Sequence, residues 1–133
     1  FDNYKVCGSL DSLTLHVVDI QEGVYPVFSK CCPQLTKLKL KLLTRMIRKV
    51  TRIDMPESNF ELFQLFICLK EDMRHKKILV KVATPSEEKA YTFTQAEKLQ
   101  QVELDQDLLD HVGSTFELKC SSLDRFLIDV DYD

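Results

Sequence analysis

Few residues in this chain are spaced to do chemistry. The five cysteines are Cys7, Cys31, Cys32, Cys68 and Cys120. Only Cys31 and Cys32 are neighbours, and adjacent cysteines rarely chelate one metal, so no tetrahedral zinc set is complete. Histidines at 16, 75 and 111 fall on separate segments without metal-ligand spacing. His16 is a candidate general base only if Cys7, Cys31 or Cys120 lies beside it as nucleophile. With three glycines in the chain, at 8, 23 and 113, neither phosphate-binding glycine motif can be written. Asp129, Asp131 and Asp133 alternate at the end of the chain. Three carboxylates on one strand face suit solvation, a basic partner or a hard cation. No catalytic residue, metal site or cofactor is assigned on these grounds.

The remaining chemistry is charge. Residues 30–53 hold eight of the eighteen lysines and arginines and none of the twenty-one acids, in a chain of formal net charge −3. At 100° per residue, nine apolar residues from Leu35 to Ile53 cover an arc of about 200°. Lys37, Lys41, Arg45, Arg48, Lys49 and Arg52 fill most of the rest, and Lys39 alone falls on the apolar side. That predicts a long basic amphipathic helix over about 34–53, ended by Pro56. Lys and Leu also alternate over 37–42, which makes a strand the local competitor. Lys37, Lys41, Arg45, Arg48 and Arg52 are the candidate partner-binding residues, with Arg74, Lys76 and Lys77 a second basic patch. An acidic protein surface, or a second copy of the chain, would meet them by charge complementarity. Nucleic acid is the alternative. An acidic body and a basic segment without aromatics weigh against it.

Other elements must position these residues. Period-two patterns predict strands over 13–20, 24–29, 78–84, 90–94, 115–120 and 126–133. Pro26 places 24–29 at a sheet edge, a site for strand addition. The run 60–69 is apolar on both alternating faces and reads as a central covered strand. Thr94-x-x-Glu97 has capping-box spacing and predicts a helix start, and 105–112 predicts a second short helix. No internal repeat is visible.

These readings give an α+β fold: a mainly antiparallel sheet of about six or seven strands packed against the helix 34–53. The length suits a single domain spanning 1–133, and a start at Phe1 suggests one excised from a larger protein. The expected function is a non-catalytic protein-interaction module. Its surface is the basic helix face or the edge strand, and a cysteine-dependent enzyme is a remote alternative. An odd, irregular cysteine set favours a reducing compartment, cytoplasm or nucleus. No stretch is long and apolar enough to span a membrane.

Overall fold

The computed structural model describes residues 10–17, 23–42, 50–74, 76–96 and 98–132. Seven strands form one mixed sheet: β1 (Ser12–Val17), β2 (Lys37–Leu42), β3 (Val50–Leu69), β4 (Lys77–Ala83), β5 (Glu88–Thr94), β6 (Lys98–Val102) and β7 (Val112–Tyr132). Their order is β1-β2-β3-β7-β4-β5-β6. The pairings from β1 through to β4 are parallel, and only β4–β5 and β5–β6 are antiparallel. Among the described residues there are two short helices, α1 (Val24–Cys31) and α2 (Gln106–Asp110), and one 3-10 turn at Glu71–Met73.

The fold is therefore mainly β and largely parallel, not an α+β fold with a mainly antiparallel sheet packed on a long helix, and no long helix exists among the described residues. The expected helix 34–53 is replaced by β2 and the start of β3, with 43–49 outside the described residues. In β2 the sequence KLKLKL turns Leu38, Leu40 and Leu42 into the core, while Lys37 is exposed and Lys39 and Lys41 are half-buried. Lys39, the misfit of the helical arc, has no misfit in a strand. The expected edge strand at 24–29 is α1, in which Pro26 occupies the first turn, where its missing N–H costs no bond. The expected helix after Thr94 is the turn into β6. Lys98 takes a φ of 60° there, a left-handed position uncommon for a side chain of its size. Glu97 lies outside the described residues. The helix expected at 105–112 is α2, capped by the Asp105 carboxylate accepting from the Leu108 N–H at 2.7 Å.

The register shows a repeat. Ser12 pairs with Lys37 and Lys37 with Leu62, two equal steps of 25 residues. The main chain repeats with it. The Asp11 carbonyl accepts from the Thr36 and Lys37 N–H groups at 2.9 and 3.1 Å, and the Thr36 carbonyl accepts from Glu61 and Leu62 at 2.8 and 3.2 Å. Three sets of apolar residues share one spacing: Leu10, Leu13, Leu15; Leu35, Leu38, Leu40; and Phe60, Phe63, Leu65. A fourth, Leu123, Phe126 and Ile128, follows in β7. The second and third sets are fully buried, and the first and fourth are half-buried. That gradient is what stacked coils produce, because inner coils are covered on both sides.

The coils explain the two long strands. β3 and β7 break register between Met55 and Asn59, at Pro56. Their second halves, 59–69 and 122–132, join β1 and β2 in a four-stranded parallel ladder. Their first halves, 50–55 and 115–120, join β4, β5 and β6. α1 packs against the break in β3: the Ser29 and Ser58 hydroxyls lie 2.9 Å apart, and the Glu57 N–H donates to Ser29 Oγ at 2.9 Å. The third coil is longer, the step from Asn59 to Ser122 being 63 residues, because it carries β4, β5, β6 and α2. This insertion covers the far end of the stack. Tyr91 stacks on Phe126 at 6.5 Å, and Phe126 stacks on Phe63 at 5.8 Å.

Candidate binding face

The buried leucines fix where the intervening side chains go. A strand sends alternate residues to opposite faces, so the four-stranded ladder turns a second set of rows outward. One row is His16, Lys41, Phe66 and Asp129; the next is Thr14, Lys39, Gln64 and Leu127; the third is Ser12, Lys37, Leu62 and Arg125. Each strand thus contributes a column. β2 gives three lysines, β3 gives Leu62 and Phe66, and β7 gives Arg125 and Leu127 followed by Asp129 and Asp131. Phe66 and Leu62 are half-buried, whereas Leu127 is exposed at 40 %.

Adjacent columns are about 4.8 Å apart, so the lysine and aspartate columns are separated by about 10 Å across the apolar one. That is about one Debye length at physiological salt, too far for the charges to neutralise one another. Neither column makes an ion pair among the described residues. The face therefore offers a basic band, an apolar band and an acidic corner side by side.

The expected site residues separate in the structure. Lys37 and Lys41 lie together on this face with Lys39, which the helical reading set aside. Arg45 and Arg48 lie outside the described residues. Arg52 sits on the first half of β3, 3.6 Å from Glu117, and both side chains are substantially exposed. Such a pair contributes roughly 0–1 kcal/mol. It borders a shallow depression of about 260 Å³ with Asp54, Lys81, Glu88 and Lys119. Arg74 is already committed. Its guanidinium donates to both Glu71 oxygens at 2.6 and 2.8 Å and to Gln95 Oε1, and it lies 4.9 Å from the centre of the Tyr132 ring. Donation to the Glu71 carboxylate raises its pKa. Lys76 packs its stem against Gly113, and Lys77 is half-buried in β4. Arg74, Lys76 and Lys77 thus form a junction between the insertion and β7.

Of the thiols, Cys120 is fully buried, and desolvation pushes it up to about 11. A thiol so placed is protonated at neutral pH and is a poor nucleophile. Cys7 and His75 lie outside the described residues. Asp129 and Asp131 keep the shared outward direction expected for them, but no group of three metal-ligating side chains occurs among the described residues. Phe66, Leu62 and Leu127 were missing from the expected site. The Lys-Leu alternation of 37–42 was the signal that could have found this face. No family model matches the chain, and no curated protein or solved structure matches it either.

Proposed function

We propose that the chain is a non-catalytic protein-interaction module whose partner docks on the outward face of the β1-β2-β3-β7 ladder. The carrying observation is the in-register triplet of columns: Lys37, Lys39 and Lys41 on β2, Leu62 and Phe66 on β3, and Arg125, Leu127 and Asp129 on β7, with Asp131 one step further. A fitting partner presents an acidic edge over Lys37, Lys39 and Lys41, and an apolar side chain over Phe66. Charge columns would set orientation and association rate, with the apolar centre as anchor. The 25-residue period and the apolar spacing x, x+3, x+5 also support this reading. They follow the pattern of leucine-rich repeats, which line one open face with parallel strands. A repeat architecture alone carries no function, so the columns bear the weight. Cytoplasm or nucleus is the proposed compartment, on the irregular cysteine set.

The test compares capture from cell lysate by the wild type, by Lys39→Glu with Lys41→Glu, and by the control Arg52→Glu on a different part of the sheet. Partners held by wild type and control but lost by the double reversal would support the face. Equal capture by all three would remove it.

Nucleic acid remains the second reading, because Phe66 beside Lys41 places an aromatic ring next to a cation. It requires affinity for a single-stranded oligonucleotide that falls steeply with salt. Absence of binding by anisotropy at about 50 mM salt would end it.

A further inference from the structure

Among the described residues the four-stranded ladder β1-β2-β3-β7 ends at the second half of β7, and that half has an open side. β4 pairs with β7 only from Val112 to Lys119. Residues 122–132 pair with β3 on one side and, among the described residues, with no strand on the other. Their inward side chains are already covered, Phe126 by Tyr91 and Phe63, and Tyr132 by Arg74. What stays open is the main-chain edge, flanked by exposed Arg125, Leu127, Asp129 and Asp131.

We infer that this edge pairs with itself, so that two copies of the chain join by antiparallel addition of β7 to β7 about a two-fold axis at Leu127. The argument is one of register. A two-fold antiparallel pair is isologous, so each residue meets its mirror position about the centre. Leu127 is the midpoint of 122–132, and only a centre there lets the whole open edge overlap. That register sets Arg125 opposite Asp129 twice, Phe126 opposite Ile128 twice, and Leu127 opposite its own copy; outside these five central positions it sets Asp124 opposite Val130 and Leu123 opposite Asp131, so the matched middle carries the pairing. Opposite charges and apolar residues directly across a strand pair are favourable contacts. Other registers are worse. Centring on Phe126 or Ile128 sets Leu127 against Arg125 or Asp129. Centring on Arg125 or Asp129 sets like charges face to face. Acids on an open edge discourage indiscriminate pairing. A centre at Ile128 keeps opposite charges, Arg125 against Asp131, but sets Leu127 against Asp129 and leaves Ser122 and Leu123 beyond the overlap, so the Leu127 centre joins full overlap to a matched middle. The product is a continuous ladder in which the binding faces of the two copies adjoin. The inference rests on the fold and the edge, not on the proposed partner.

Sedimentation equilibrium of the purified chain tests it, using wild type, Arg125→Asp, Asp129→Arg and their equimolar mixture. Wild type should dimerise with concentration. Each single reversal sets two like-charged pairs in its own homodimer and should weaken association by about tenfold. The mixture should regain wild-type association, because a heterodimer of the two variants restores opposite charges at both positions. Both residues are exposed, so at a concentration where every variant is monomeric the thermal midpoints should match wild type. Should either reversal fail to fold, Leu127→Lys, which sets two lysines on the axis, carries the test in its place. A wild type that stays monomeric would overturn the inference. So would a dimer indifferent to these substitutions, or a mixture no tighter than its components.

Discussion

At the residue scale, close approach and burial decide what each position tolerates. Gly113 opens β7 where the chain from the 3-10 turn passes over it. A Cβ there would lie 2.9 Å from both Lys76 Cβ and Met73 Cε. The methionine tip can move, but the lysine Cβ is tied to its backbone. Gly113→Ala should therefore cost about 1–3 kcal/mol as an overpacking change, read as a lower urea midpoint. Gly23→Ser is the control, since nothing lies within 4 Å of a Cβ at Gly23, and its midpoint should hold. Cys120 gives a pH dependence. Burial raises its folded pKa from 9.0 to about 11. Below pH 9 both states are protonated and its stabilising contribution is complete. As pH rises from 9 towards 11, the unfolded thiol ionises and the folded one does not, so stability falls. Denaturation curves across pH 8–11 should show that fall, reduced in Cys120→Ala; Tyr132, raised chiefly by desolvation, contributes in the same direction. Neither feature is legible in the sequence, because each depends on what a distant segment brings alongside.

At the element scale, the strands were the legible part. Alternation marked β1, β4, β5 and both halves of β7, and a run apolar on both faces marked the second half of β3. The failure over 34–53 shows how a helical wheel misleads. Nine apolar residues in 19 positions fill a wide arc on a helix, but the three leucines of the alternating run 37–42 also fill one strand face. Lys39 was the discriminating residue, since it violates the helix and satisfies the strand. Pro26 misled in the opposite sense. A first-turn proline and an edge-strand proline look alike when only six residues are read, and the partner of Ser29 decides between them. Ser29 is 1 % exposed and Ser58 is 2 % exposed, and their hydroxyls join α1 to the break in β3. Ser29→Ala strands the Glu57 N–H and the Ser58 hydroxyl together, and should cost about 1–3 kcal/mol. The double variant with Ser58→Ala should cost less than the sum of the two single changes, because the second loses a partner already gone. Strict additivity in chemical denaturation would show that the two hydroxyls do not support one another.

At the scale of the whole molecule, the repeat was present in the letters but not seen as one. Leu10, Leu35 and Phe60 are 25 residues apart, yet the first spacing holds α1 and the second holds the start of β3, with 18–22 and 43–49 outside the described residues. The third coil then swells with the insertion, so periodicity fails where a fourth repeat would have confirmed it. The binding face was half legible. Its lysines were singled out, but their neighbours Phe66 and Asp129 are set by pairing, which no window of sequence contains. The same stacking makes a prediction that a conventional two-layer sheet does not. In a stack each coil supports chiefly its neighbours, and the insertion covers the last coil through Tyr91 on Phe126. Tyr91→Ala removes that ring from a half-buried site and should destabilise the chain by about 1.5–3 kcal/mol. The loss should also be local. Amide exchange should accelerate most over 122–132, less over the second half of β3, and least in β1 at the opposite end of the ladder. Sub-global opening of this kind follows from unequal coverage along a stack. An equal acceleration in β1 and β7 would mean that the sheet opens as one cooperative layer and that the insertion is not an end cap.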